Sequence, residues 1–175
     1  ETAFPAQLGA INDAWSGSNI QSIFNRTIDY CNNNPVDVAI IGWTHYARVL
    51  ATPKHHPRRD RLGQWSIKGD PAWLEHYTGE GLIRSQEILV ESLYEILTAR
   101  NIRPVFFKSF DSDLNPQCPM LWDGGNWDHI YYKSINVPKS TRRLGAHPDQ
   151  KQHDWLAVYL REVLENEETK PLPNE

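Results

Sequence analysis

Cysteine is scarce in this chain. Cys31 and Cys118 are the only two in 175 residues. They sit in unlike contexts and make no CxxC, which excludes a disulfide framework and a zinc knuckle; both are expected to be reduced and buried. Long hydrophobic runs are missing too: nothing approaches the roughly 18 apolar residues of a helical membrane span. Charge of one sign is also lacking. Eighteen Lys+Arg against 22 Asp+Glu give a formal net charge of −4. That is too mild to argue for a nucleic-acid partner, and the one basic cluster is Lys54-His55-His56-Pro57-Arg58-Arg59. There is no Gly-rich phosphate loop, which weakens a flavodoxin-like or other nucleotide-binding reading. No internal repeat is visible, and no signal peptide precedes Glu1. No cofactor is expected.

What is present is an ordinary soluble composition, 39% apolar and 23% charged, in a length that suits one domain with a real core. Seven Trp and seven Tyr are many for this length. Trp43, Trp65, Trp73, Trp122 and Trp127 fall near expected strand ends or in loops. They serve either the core or a stacking surface for sugars or a protein partner. Asn25-Arg26-Thr27 fits a glycosylation acceptor but falls within an expected helix and is discounted.

Periodicity sets out the elements. Ile20, Ile23, Phe24, Thr27, Ile28 and Cys31 line one helical face over residues 18–31, with Ser18 as N-cap. Asn32-Asn33-Asn34-Pro35 stops that helix. Residues 36–41 form a short apolar run closed by Gly42, as a strand buried on both faces would. A second helical pattern occupies residues 81–100, Asn101 ends it, and residues 102–107 read as the next buried strand. Residues 111–143 are loop-rich. The last helix spans about 150–165, behind a capping box of Asp149 and Gln152. Ala10-Ile11-Asn12 offers a short first strand. The expected organisation is a single α/β domain over 1–165, a three-layer αβα arrangement with a parallel sheet. A long insertion spans 44–78 and a flexible acidic tail spans 166–175. Three strands are few for a doubly wound sheet, so an N-terminally incomplete domain is expected. Loops as long as 44–78 are usually functional, and this one is a candidate protein-partner surface.

In open parallel sheets ligands gather at the carboxyl ends of the strands. Ser16-Gly17-Ser18-Asn19, Gly42-Trp43-Thr44-His45 and Lys108-Ser109-Phe110-Asp111 should converge there, together with the Gly145-Ala146-His147 loop before the last helix. The order Gly-x-Asn after strand one, Asp-Val-x-Ile-Ile-Gly-x-Thr on strand two and His-Pro-Asp-x-x-x-His before the terminal helix resembles the SGNH (GDSL-type) hydrolases. It is closest to divergent members often encoded by tailed phages. The resemblance implies an SGNH/flavodoxin-like fold and esterase activity by serine acyl transfer. Gly17 would supply an oxyanion N–H, Thr44 would stand where the family has an oxyanion-binding Asn, and His147 would be the base. The family's nucleophilic serine lies in a Gly-Asp-Ser-like turn, and nothing before Leu8 offers one; it is expected upstream of Glu1. The family's orienting Asp is replaced by Leu144, for which Asp111 could substitute. An ester substrate, in particular an acylated carbohydrate, follows from the resemblance. So does a second reading, a catalytically degenerate SGNH-like module serving structure or binding, for instance in a virion. A phage-encoded protein would be found in the virion or the host cytoplasm.

Each candidate has a plainer account beside it. His147 is either a base or a histidine bonding a backbone carbonyl. Asp149 is more simply a helix cap, which counts against a His147/Asp149/His153 metal set. His55-His56 reads as a solvated segment, Ser109, Asp111 and Asp113 as turn caps, and Asp37 as a strand-edge residue. His45 is a substitute base at the mouth or a surface residue.

Overall fold

The computed structural model describes residues 4–14, 18–45, 48–50, 64–66, 80–109, 113–121, 127–135 and 149–166. Among them are a short helix α1 (Phe4–Gln7), α2 (Ile20–Asn33), strand β1 (Val38–Trp43), β2 (Arg48–Leu50), β3 (Gln64–Ser66), α3 (Glu80–Ala99), β4 (Arg103–Lys108), α4 (Trp127–Ser134) and α5 (Gln150–Glu165). The chain is mixed α/β, with β1 and β4 forming a two-stranded parallel sheet in register from Val38↔Arg103 to Trp43↔Lys108.

Helices cover both faces of that pair. Strand alternation sends successive side chains to opposite sides, and the packing follows it. Ile41, Trp43 and Phe106 join Ile20 of α2 and Val90, Leu93 and Leu97 of α3 in one cluster. Val105 and Phe107 meet Leu156, Leu160 and Val163 of α5 in the other. Trp43 sets its ring edge-on to Phe106 at 5.2 Å between centroids.

Local chemistry fixes the helix ends. Asn19, not Ser18, caps α2: its Oδ1 accepts the Ser22 N–H at 2.7 Å. The two residue types cap about equally well, and full burial of Ile20 in the first turn selects the register. The helix runs two residues past Cys31. Asn33 and Asn34 then donate side-chain N–H groups back to the carbonyls of Asp29 and Tyr30 in the last turn. Asn101 ends the α3 segment with φ of 58°, the left-handed conformation that Asn tolerates. The capping box of α5 is complete: Asp149 Oδ1 accepts from Gln152 N at 3.0 Å and Gln152 Oε1 from Asp149 N at 2.9 Å. At the other end of α5 the Arg103 guanidinium donates to the carbonyls of Val163 at 2.7 Å and Leu164 at 3.0 Å. A cation is thus placed against the negative end of the helix dipole.

Several expectations need correction. Residues 10–12 are not a strand. The Ala10 N–H is spent on the Pro5 carbonyl, the Asn12 side chain folds back onto the Ala14 N–H, and Ile11 is 78% exposed. Both paired strands sit later than expected. β1 includes Gly42 rather than stopping at it, and β4 reaches Lys108. The insertion at 44–78 is not all loop, since β2 and β3 pair antiparallel within it. The loop-rich stretch 111–143 contains α4, whose Tyr131 packs edge-on against Trp155 of α5. Of the two roles open to Trp43 at the end of β1, it takes the core. Both cysteines are free but only half-buried. Residues 167–175 of the expected tail lie outside the described residues.

Gly42 shows why the strand tolerates a glycine. A Cβ there would collide with the Ser109 Oγ and come within 2.8 and 2.9 Å of the Phe107 ring. Gly42→Ala is therefore expected to destabilise by about 1–3 kcal/mol, the usual cost of overpacking. Urea unfolding should show a lower midpoint at unchanged m-value. Adding Ser109→Ala should recover only part of the loss, because the Phe107 ring still blocks the new methyl.

Candidate functional site

The polar groups converge on one edge. α2 and α3 each lead into the start of a strand, and Arg103 ties the end of α5 to the start of β4. The N-termini of these three helices therefore lie at the edge where β1 and β4 end. Helix N-termini bring unpaired N–H groups and positive dipole ends there, and the carboxyl edge of a parallel sheet is where ligands bind.

Thr44 follows β1 at this edge. It is 4% exposed, and its Oγ1 has no hydrogen-bond partner among the described residues. A buried hydroxyl in that condition is costly and is a candidate for contact with a ligand or an ordered water. The sheet ladder closes just beside it, where Ser109 N donates to the Trp43 carbonyl at 2.9 Å. Ser109 places its hydroxyl over Gly42. His45 is half-buried and Asp113 is exposed.

Gly17 and His147 lie outside the described residues, as do Leu144, Asp111, His55 and His56. Gly17 is two residues from Asn19 and His147 two from Asp149, both of which stand at this edge. The Asp149 carboxylate is committed to the α5 cap, so a His147/Asp149/His153 metal set loses its carboxylate. No group of three metal-ligating side chains occurs among the described residues.

The edge also holds polar groups that motif reasoning passes over. Asn19 is fully buried with Nδ2 unpartnered, Trp43 is 1% exposed with Nε1 unpartnered, and Lys108 is 7% exposed. A lysine closing a strand reads as solvated in sequence. Its signal was strand alternation, which puts it on the covered face with Phe106. Glu87, buried on α3, is already occupied: Oε1 accepts the Asn115 N–H at 2.7 Å and Oε2 accepts from Arg84 at 3.3 Å. Glu91 accepts from both Arg84 and the Gln117 N–H; the Arg84 hydrogen bond is the main cause holding its carboxyl below the usual range. These two carboxylates pin residues 115–117 to α3.

Compared with known proteins, the chain matches no family model, no curated protein and no solved structure. No helix among the described residues is long and apolar enough to cross a membrane.

Neither cysteine is set up as a nucleophile. Burial pushes the Cys118 thiol up to about 11. Burial raises Cys31 as well, and the Arg100 charge only partly opposes it. Since the thiolate is the reactive form, both should react with a disulfide reagent at pH 8 at least about ten times more slowly in the native protein than in the urea-unfolded chain. A fast-reacting native thiol, followed by absorbance of the released thiolate, would contradict this.

Proposed function

We propose that the chain is part of a three-layer SGNH-like hydrolase that cleaves an ester, such as an acylated carbohydrate, by serine acyl transfer. The observation that carries this reading is Thr44. Its buried, unpartnered hydroxyl stands at the carboxyl end of a parallel strand, where the resemblance requires a donor to the developing oxyanion. A preorganised donor without an internal acceptor is what transition-state charge needs. Gly17 adds its backbone N–H. His147, just before the capped start of α5, takes the proton from the attacking serine hydroxyl and returns it to the leaving alcohol. No Gly-Asp-Ser-like turn in the given sequence supplies the serine that the resemblance calls for.

A second reading keeps the fold without the chemistry. Thr44 is a shorter donor than Asn, and Leu144 cannot orient a histidine. An SGNH-like module retained for binding or structure, in a virion for example, fits both departures, with the edge and the 44–78 segment as its contact surface.

Hydrolysis of a short-chain aryl ester by the full-length gene product separates the two. Thr44→Ala should lower kcat by roughly 10²–10³, as loss of one oxyanion donor does. Thr44→Ser should recover most of it. His147→Ala should cost more, with KM little changed in every case. Equal rates in all variants, or no hydrolysis by any, would sink the enzyme reading in favour of the module.

A further inference from the structure

Strand alternation divides the carboxyl edge into two sides. Thr44 directly follows β1, whose Ile40 and Gly42 face the α5 side. Trp43 and Lys108 are partners across the ladder and face the other way, with Phe106, into the layer of α2 and α3. Asn19 caps α2 on this second side, next to Ile20, which shares a core cluster with Trp43. Three polar side chains more than nine-tenths buried thus collect where α2 begins and the two strands end.

What these groups lack is of one kind. The Asn19 Oδ1 is occupied by the Ser22 N–H, which fixes the amide and leaves its Nδ2 donor unpartnered. The Trp43 Nε1 is a donor only, and it too has no partner among the described residues. Lysine has three donors and no acceptor. Nothing in the described residues forms an ion pair with Lys108, and the buried carboxylate of Glu87 is held by Asn115 and Arg84 instead. The start of the 14-residue helix α2 adds a positive dipole end at the same place. Burying the unsatisfied Asn19 and Trp43 donors is costly, and the Lys108 ammonium, which is not one of the buried unpartnered atoms, adds a positive charge at the same edge. An acceptor-rich anion would satisfy all of them together, because its deprotonated oxygens are acceptors.

We infer that Asn19, Trp43 and Lys108 form a binding site for an oxyanion, a carboxylate or a phosphate carried by a small ligand. The site lies on the α2/α3 side of the edge, away from Thr44, and does not depend on the hydrolase reading. Under that reading it becomes a subsite that selects anionic esters.

The test titrates the protein with sodium phosphate and, separately, sodium acetate. Ionic strength is held constant with chloride, and the thermal midpoint and indole fluorescence are read. Ligand that binds only the native state raises the midpoint in proportion to ln(1 + [L]/Kd). Wild type should show a saturable rise with at least one anion. A response to phosphate alone points to a phosphorylated ligand, one to acetate alone to a carboxylate, and one to both to recognition by charge. Lys108→Met keeps the aliphatic stem and should abolish the rise. Asn19→Asp keeps the α2 cap, since Asp caps as well as Asn, but exchanges the donor for a negative charge. It should raise the apparent Kd about ten-fold or more, in line with loss of a hydrogen bond to a charged group. It also keeps the test decisive if Lys108→Met does not fold. No rise beyond that in chloride would overturn the inference. A rise of equal size in wild type and Asn19→Asp would do the same, marking a general salt effect.

Discussion

The structure depends on the pairing of β1 with β4. Parallel pairing is slightly weaker per residue than antiparallel, and two strands alone do not make an independently stable sheet. Such a pair persists only when both faces are covered. Here α2 and α3 lie on one side and α5 on the other. Coverage dictates composition: Val105, Phe106 and Phe107 are all buried because neither face of β4 meets water. Arg103 makes the two requirements one, since it starts β4 in the ladder and its guanidinium caps the carbonyl end of α5.

The same constraint creates the site. A covering helix that runs back along a parallel strand brings its N-terminus to the strand's carboxyl end. Three such helices concentrate donor-rich backbone at one edge. Side chains that arrive there are buried by the layers on either side but have few acceptors to meet. Thr44, Asn19 and Trp43 are found in this position, and Glu87, a buried acceptor group on α3, is spent in holding residue 115. The edge is therefore rich in uncompensated donors as a consequence of topology, before any ligand is considered.

Where one residue's local chemistry decided the outcome, the sequence was readable. Asp149 and Gln152 define the start of α5 unaided, and Asn101 marks the end of α3, because capping boxes and left-handed turns are local. Where the decision was made by distant partners, it was not. Gly42 looked like a strand terminator, yet it is an interior residue kept small for Ser109 and Phe107, over sixty residues away. Ala10-Ile11-Asn12 looked like a strand until the Pro5 carbonyl claimed its backbone donor. α4 was hidden behind Gly124-Gly125, although Tyr131 has a partner in Trp155. The convergence of Thr44 with the strand ends could be anticipated from chain order; the burial of Lys108 follows from its alternation with Phe106 only once both faces of β4 are known to be covered.

On the proposed readings, Lys108 and Thr44 divide two kinds of recognition across one short sheet. Lys108 ends β4 and Thr44 follows β1, one residue past the last ladder rung, Trp43↔Lys108. Alternation carried one residue beyond that rung would turn them to opposite sides. A hydroxyl donor towards α5 suits charge that develops and vanishes during a reaction. A fixed cation beside a helix N-terminus suits charge that is permanent. An edge that separated neither would hold a permanent anion where a transient one must form, and the cation would then stabilise ground and transition states alike, lowering KM without raising kcat.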